Sequence, residues 1–220
     1  MKSKLSKILL CLFPLWLSGG FCYAHDIVKD LDKMSKSDAA ITYLKLGYEH
    51  ILPLGFDHIL FILSLFLLSP KLKTILWQAT AFTVAHSVTL GLAMYGIISP
   101  SPAIVEPLIS LSIMYVALEN IFSPRLKPSR IGIIFFFGLI HGMGFAGALG
   151  ELGLPQNSYF LSLIMFNIGV EFGQITVILV AFLLVKKCWN SEIFYRKKIV
   201  IPLSILITII SAYWTVERVF

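Results

Sequence analysis

Six stretches of about twenty mostly apolar residues dominate this chain, and they leave it few folds to adopt. A hydrocarbon core roughly 30 Å thick takes about 20 helical residues to cross. Inside that core no water is on hand to bond a backbone N–H or C=O, so the crossing segments must satisfy those groups themselves. The runs read as helices near residues 47–68, 75–98, 103–122, 131–149, 159–185 and 199–217. Short connections with turn formers separate them: Ser69-Pro70, Ser99-Pro100-Ser101-Pro102, Ser123-Pro124, Pro128-Ser129 and Pro155-Gln156-Asn157. With 57% hydrophobic and 14% charged residues, a soluble domain of 220 residues has nowhere to hide its apolar surface. The expected fold class is an all-α integral membrane protein, with about six transmembrane helices in one bundle after a cleavable signal peptide.

The formal charge of +6 suggests a nucleic-acid binder only until the basic residues are placed. They lie between the apolar segments. Lys71, Lys73, Arg125, Lys127, Arg130, Lys186, Lys187, Arg196, Lys197 and Lys198 fall in one set of connections, while 99–102 and 150–158 carry no Lys or Arg. By the positive-inside rule the first set is cytoplasmic, so both ends of the mature chain face outward. The expected location is a bacterial inner membrane, multi-pass, with both termini periplasmic.

Lys2, Lys4 and Lys7 precede an apolar run from Ile8 to Leu17, followed by Ser18-Gly19-Gly20 and Cys22-Tyr23-Ala24. That is the layout of a signal peptide over residues 1–24, cut before His25. The new N-terminal His25 pairs an amine with an imidazole, although a lone terminal histidine more often binds nothing. Residues 25–40 mix aspartates and lysines and read as a short polar periplasmic tail. With Cys11 and Cys22 in the leader, only Cys188 remains, so the mature chain has no internal disulfide.

Ionisable groups at membrane depth are costly and are functional candidates by default. Four of the five histidines are intramembrane on this reading. Asp57 and His58 fall halfway along the first span, His86 near the middle of the second, and His141 near the middle of the fourth. Glu171 lies in the fifth span between Asn167 and Gln174, at i, i+4 and i+7 on one face. Imidazole and carboxylate together make a good first shell for Ni, Co, Zn, Cu or Fe, which the sequence does not distinguish. Asp57, His58, His86, His141 and Glu171 are therefore the expected metal set. Ser87, Asn167 and Gln174 are candidates to orient them. Gly47, His50, Leu54 and Asp57 share one helix face if Pro53 leaves the helix intact, whereas Pro53 and Gly55 are themselves unwinding residues. His50 and Glu106 are expected nearer the outer face, as an entry site or simply at the headgroup level, and Glu119 near the inner end of the third span, as an exit ligand or the partner of a loop cation. Gly138, Gly142, Gly144 and Gly147 permit close helix approach, or leave room beside His141. Against all this stands packing alone: a single intramembrane histidine is often an interhelical hydrogen-bond partner.

His50-Ile-Leu-Pro-Leu-Gly-Phe-Asp57-His58, Phe82-Thr-Val-Ala-His86-Ser87, His141-Gly-Met-Gly-Phe-Ala and Phe166-Asn167-Ile-Gly-Val-Glu171-Phe-Gly-Gln174 together resemble the HupE/UreJ family over about residues 41 to 185. The resemblance implies an inner-membrane protein associated with nickel or cobalt uptake, with the family's Asp-His motif on Asp57 and His58 and its later histidines on His86 and His141. Better-known nickel members resemble His-Pro-x-x-Gly-x-Asp-His. Here the proline is displaced to Pro53, and the first histidine lies one residue further away. The segment after His141 also lacks the second His and the Glu of those members. The chain thus looks like a divergent second branch.

Three functions follow. The first is a secondary permease for a divalent transition metal, without an ATP-binding motif. The second is an intramembrane metal-dependent hydrolase with His58, His86 and His141 on zinc and Asp57 or Glu171 as base. The third is a non-catalytic membrane subunit assisting a metalloprotein. The permease is preferred, and no catalytic residue is assigned. Expected partners are the lipid bilayer and the metal ion, with a homo-oligomer possible and no nucleic acid.

Overall fold

The computed structural model describes residues 34–69, 71–123, 127–188 and 192–220. The expected signal peptide, His25 and most of the expected polar tail lie outside them. The described chain is helical, with no strand. In order come α1 (Lys36–Ile51), α2 (Phe56–Leu68), α3 (Leu72–Met94), α4 (Pro102–Phe122), α5 (Arg130–Leu152), a 3-10 turn (Gln156–Ser158), α6 (Tyr159–Cys188), α7 (Glu192–Tyr195), a π-helical turn (Arg196–Val200) and α8 (Ile201–Val219). Five segments are long and apolar enough to cross a bilayer: Leu72–Met94, Pro102–Phe122, Arg130–Leu152, Gln156–Val185 and Ile193–Val219. The pair α1 and α2, bent by 66°, makes a sixth if it is counted as one span.

The first span differs most from expectation. No single helix runs over 47–68. Helix α1 starts earlier, within the stretch read as a polar tail, because Ser35 caps it. The Ser35 hydroxyl accepts from the Asp38 amide at 3.1 Å and donates to the Asp38 carboxylate at 2.6 Å. Ala39, Tyr43, Gly47 and Ile51 are buried and recur every four residues, forming one stripe down the helix. The charged Lys45 and Glu49 stay on the open side, 3.6 Å apart. The helix ends at Leu52-Pro53, a cis peptide. Gly55 then lets the chain turn closely past the end of α1: a Cβ there would collide with the His50 carbonyl oxygen.

Helix α2 has 13 residues, about 20 Å at 1.5 Å per residue, too short to cross alone. It is apolar on nearly every side, and seven of its residues are buried, as expected of a helix enclosed by others. It packs against α4 and α6 and touches α3 and α8. Around it stand three closely packed pairs: α1 with α6, α3 with α5, and α4 with α8.

Glycine sets the closest of these approaches. Gly47 faces the Phe166 carbonyl of α6, and Gly169 of α6 faces the Leu44 carbonyl of α1. Gly138 and Gly142 of α5 likewise face the Phe82 and His86 carbonyls of α3. Backbones that touch leave no space for side chains, which is how small residues drive helix association in lipid. Thr89 seals the α3–α5 contact by donating to the Leu139 carbonyl at 2.7 Å. Tyr43 ties α1 to the end of α5 through Gly153 O at 2.6 Å.

Candidate functional site

The break between α1 and α2 brings two histidines together. His50, in the last turn of α1, and His58, in the first turn of α2, have ring centroids 4.6 Å apart. His86 of α3 lies 5.8 Å from His58 and 6.1 Å from His50, and His141 of α5 lies 5.2 Å from His58. Four imidazoles from four helices thus gather around His58. His141 is the middle residue of the 23-residue α5, so its helix alone would place it near mid-depth in a bilayer. His58, His86 and His141 are all buried.

Aromatic rings enclose the cluster. Phe145 lies 3.8 Å from His50 and stacks on Phe166, while Phe82 approaches His58 at 5.8 Å and His141 at 4.9 Å. Most of the imidazole nitrogens face this apolar cage without a partner. His50 Nε2, His58 Nε2, His86 Nδ1 and Nε2, and His141 Nδ1 are buried and unbonded. An unsatisfied buried polar group costs on the order of 1–3 kcal/mol, so five in one place is an arrangement that packing alone does not favour.

One ring of the cluster has a polar partner. Ser112 Oγ of α4 lies 2.9 Å from His141 Nε2 and 2.7 Å from the Ile109 carbonyl oxygen. With the hydroxyl proton on that carbonyl, the ring carries its hydrogen on Nε2 and turns the Nδ1 lone pair to the cluster; with the hydroxyl proton on Nε2, the ring is the other tautomer.

The donor set was tested for fit to a metal. A metal–imidazole bond of 2.0–2.1 Å puts ring centroids about 3 Å from the ion and two tetrahedral ligands about 5 Å apart. The distances from His58 to its three neighbours, 4.6 to 5.8 Å, bracket that spacing. The rings are mostly edge to face, however, and among the described residues no three His, Cys, Asp or Glu side chains are arranged to hold an ion. The ring spacing and donor chemistry are those a metal would use; the ring orientations are not.

The expected carboxylates are held by partners other than the histidines. Asp57 does not join its neighbour His58: both its oxygens accept from Arg218 of α8, at 2.9 and 3.2 Å. The proposed common face of His50 and Asp57 is broken at Pro53, which sends His50 into the cluster and Asp57 to α8. Glu171 accepts from Thr80 of α3 at 2.7 Å through Oε1, while its Oε2 is buried and unbonded. Gln174 accepts from Thr83 at 3.2 Å, and Asn167 donates to its own helix at Leu163. Ser87 likewise bonds within its helix, to Thr83 O at 2.6 Å. Glu106 is exposed on the second turn of α4. Glu119 is buried against Arg130, 2.6 Å away, inside a network with Gln78 and Asn120.

Sequence reasoning did not assign His50 to the cluster, nor did it identify Ser112 or Arg218; Arg130 it placed among the loop cations, one of which was an expected partner for Glu119. Ser112 was legible as a hydroxyl inside an apolar run. Arg218 was legible as a cation just beyond the last span, but nothing in the sequence names its partner.

No curated protein and no solved structure matches the chain. A family model described as HupE / UreJ protein matches residues 26–218, nearly the whole chain. The motifs that resembled this family lie within that match, and they include all four clustered histidines. The chain is a multi-pass membrane protein and belongs to the HupE/UreJ family.

Proposed function

We propose that this protein is a secondary permease for a divalent transition metal, nickel or cobalt by family, with the four-histidine cluster as its transient binding site. The observation that carries this reading is the convergence of His50, His58, His86 and His141 with five ring nitrogens buried and unbonded. A site that must release its ion needs ligands that are near coordination geometry without being locked into it. The edge-to-face rings, spaced for a metal but turned from it, suit such a role. Glu171, with one buried unbonded oxygen, is the candidate for a coupling proton. Asp57, the first choice of base for a hydrolase, is instead engaged by Arg218. The basic connections support an inner-membrane protein with both termini outside, following a cleaved leader.

The test is nickel and cobalt uptake into proteoliposomes, together with metal content by mass spectrometry, for wild type and a His58→Ala/His86→Ala/His141→Ala variant. Uptake by wild type that the triple variant loses at equal reconstitution is the expected result. Equal uptake by both would refute the site.

A further inference from the structure

Arg218 belongs to the last turn of α8, yet its side chain folds back into the protein. Its guanidinium lies 5.5 Å from the ring centroid of Trp214, one turn earlier. Nη1 donates to the Glu106 carbonyl of α4 at 3.2 Å, and Nη2 holds both Asp57 oxygens. One side chain therefore joins α8, α4 and the first turn of α2, beside the residue whose ring lies in the cluster.

Helix α4 gives the position of this contact relative to the histidines. Arg218 meets it at Glu106, His141 meets it at Ser112, and the second ion pair, Arg130 with Glu119, lies at its far end. Glu106 and Glu119 are about 20 Å apart along the axis. The cluster thus lies between two ion-pair layers of unequal character. The Asp57–Arg218 side chains are 25% and 21% exposed, whereas those of Glu119 and Arg130 are 11% and 2% exposed. The first pair is partly open at the surface of the bundle, and the second is enclosed.

We propose that Arg218 is a tethered cation that closes the outer mouth of the histidine cluster. It occupies Asp57 until a divalent cation displaces it. The freed carboxylate then escorts the ion to His58, the next residue. This inference rests on the permease reading for its cargo, but the closure itself can be measured without transport.

Two experiments decide it. The first is carbethoxylation of the cluster histidines by diethyl pyrocarbonate in metal-free protein, located by mass spectrometry. Arg218→Gln and Asp57→Asn each remove one side of the closure. Both should speed modification of His58 and His86 about fivefold, the factor a part-exposed ion pair is worth, with melting temperature lowered by no more than about 4 °C and Arg218→Lys close to wild type. Unaltered modification in both variants overturns the closure. The second is cobalt uptake. Arg218→Gln should lower the half-saturating concentration, Asp57→Asn should raise it, and Arg218→Gln added to Asp57→Asn should change nothing further. An equal effect of Arg218→Gln in both backgrounds overturns the competition for Asp57. Faster modification with no uptake by any form would uphold the closure and remove the permease reading instead.

Discussion

Replacing Glu119 by Gln tests the buried network at the far end of α4. Arg130 is 2% exposed, and its Nη1 sits 2.6 Å from Glu119 Oε2. Removing one partner of a buried pair leaves an uncompensated charge and costs roughly 3–5 kcal/mol. The low end applies here for two reasons. A glutamine oxygen still accepts a hydrogen bond, and Arg130 keeps Gln78 Oε1 at 3.1 Å and Asn120 Oδ1 at 3.4 Å. The expected loss is about 3 kcal/mol, a fall in apparent melting temperature on the order of 6–12 °C, read by thermal unfolding in detergent. The double variant Glu119→Leu/Arg130→Met removes both charges. Apolar replacement of a whole buried pair is often close to neutral, but Gln78 and Asn120 would each lose a donor at about 1 kcal/mol apiece. About a third of the loss should therefore be recovered. A Glu119→Gln melting curve that overlays wild type, which would mean that these charges are solvated, or a double variant less stable than the single one, which would mean that an unpaired Arg130 carries no penalty, would refute the reasoning.

Two further outcomes follow from the helix contacts. A Cβ at Gly142 would collide with the His86 carbonyl and Thr89 Oγ1, whereas one at Gly147 meets nothing within 4 Å; Gly142→Ala should cost about 1–3 kcal/mol and depress metal uptake, with Gly147→Ala matching wild type in both assays. His50→Ala should reduce uptake as severely as His58→Ala, tenfold or more, while Glu106→Gln, at an exposed site, should change it less than twofold; proteoliposome uptake ranks the three.

Much of the fold was legible because the bilayer acts locally. Each apolar run must satisfy its own backbone, so run length and composition located α3, α4, α5 and α6 to within a few residues without knowledge of neighbours. The first span was not legible in this way. Ser35 and the stripe of Ala39, Tyr43, Gly47 and Ile51 make a helix of a stretch whose charges read as a polar tail, because α6 buries that stripe. Pro53 and Gly55 were recognisable as unwinding residues, but a bend angle is set by what the two halves pack against.

The histidines divide along the same line. That His58, His86 and His141 are intramembrane follows from hydropathy alone, since each is surrounded by residues that can only be in lipid or protein. That they meet depends on α3 and α5 touching at Gly138 and Gly142 and on α2 being enclosed at the centre, which are relations between segments far apart in the chain. Helical spacing turns the adjacent Asp57 and His58 about 100° apart, so only one could reach a given centre; the structure decides which, sending Asp57 to α8 and His58 to the cluster. The sequence by itself determined how many apolar segments there are and which of them carry ionisable groups, because transfer into lipid depends on composition. Only the tertiary structure decided which of those groups face one another, because an ion pair or a ligand set depends on distances of a few ångströms between helices whose order around a bundle leaves no mark on hydropathy.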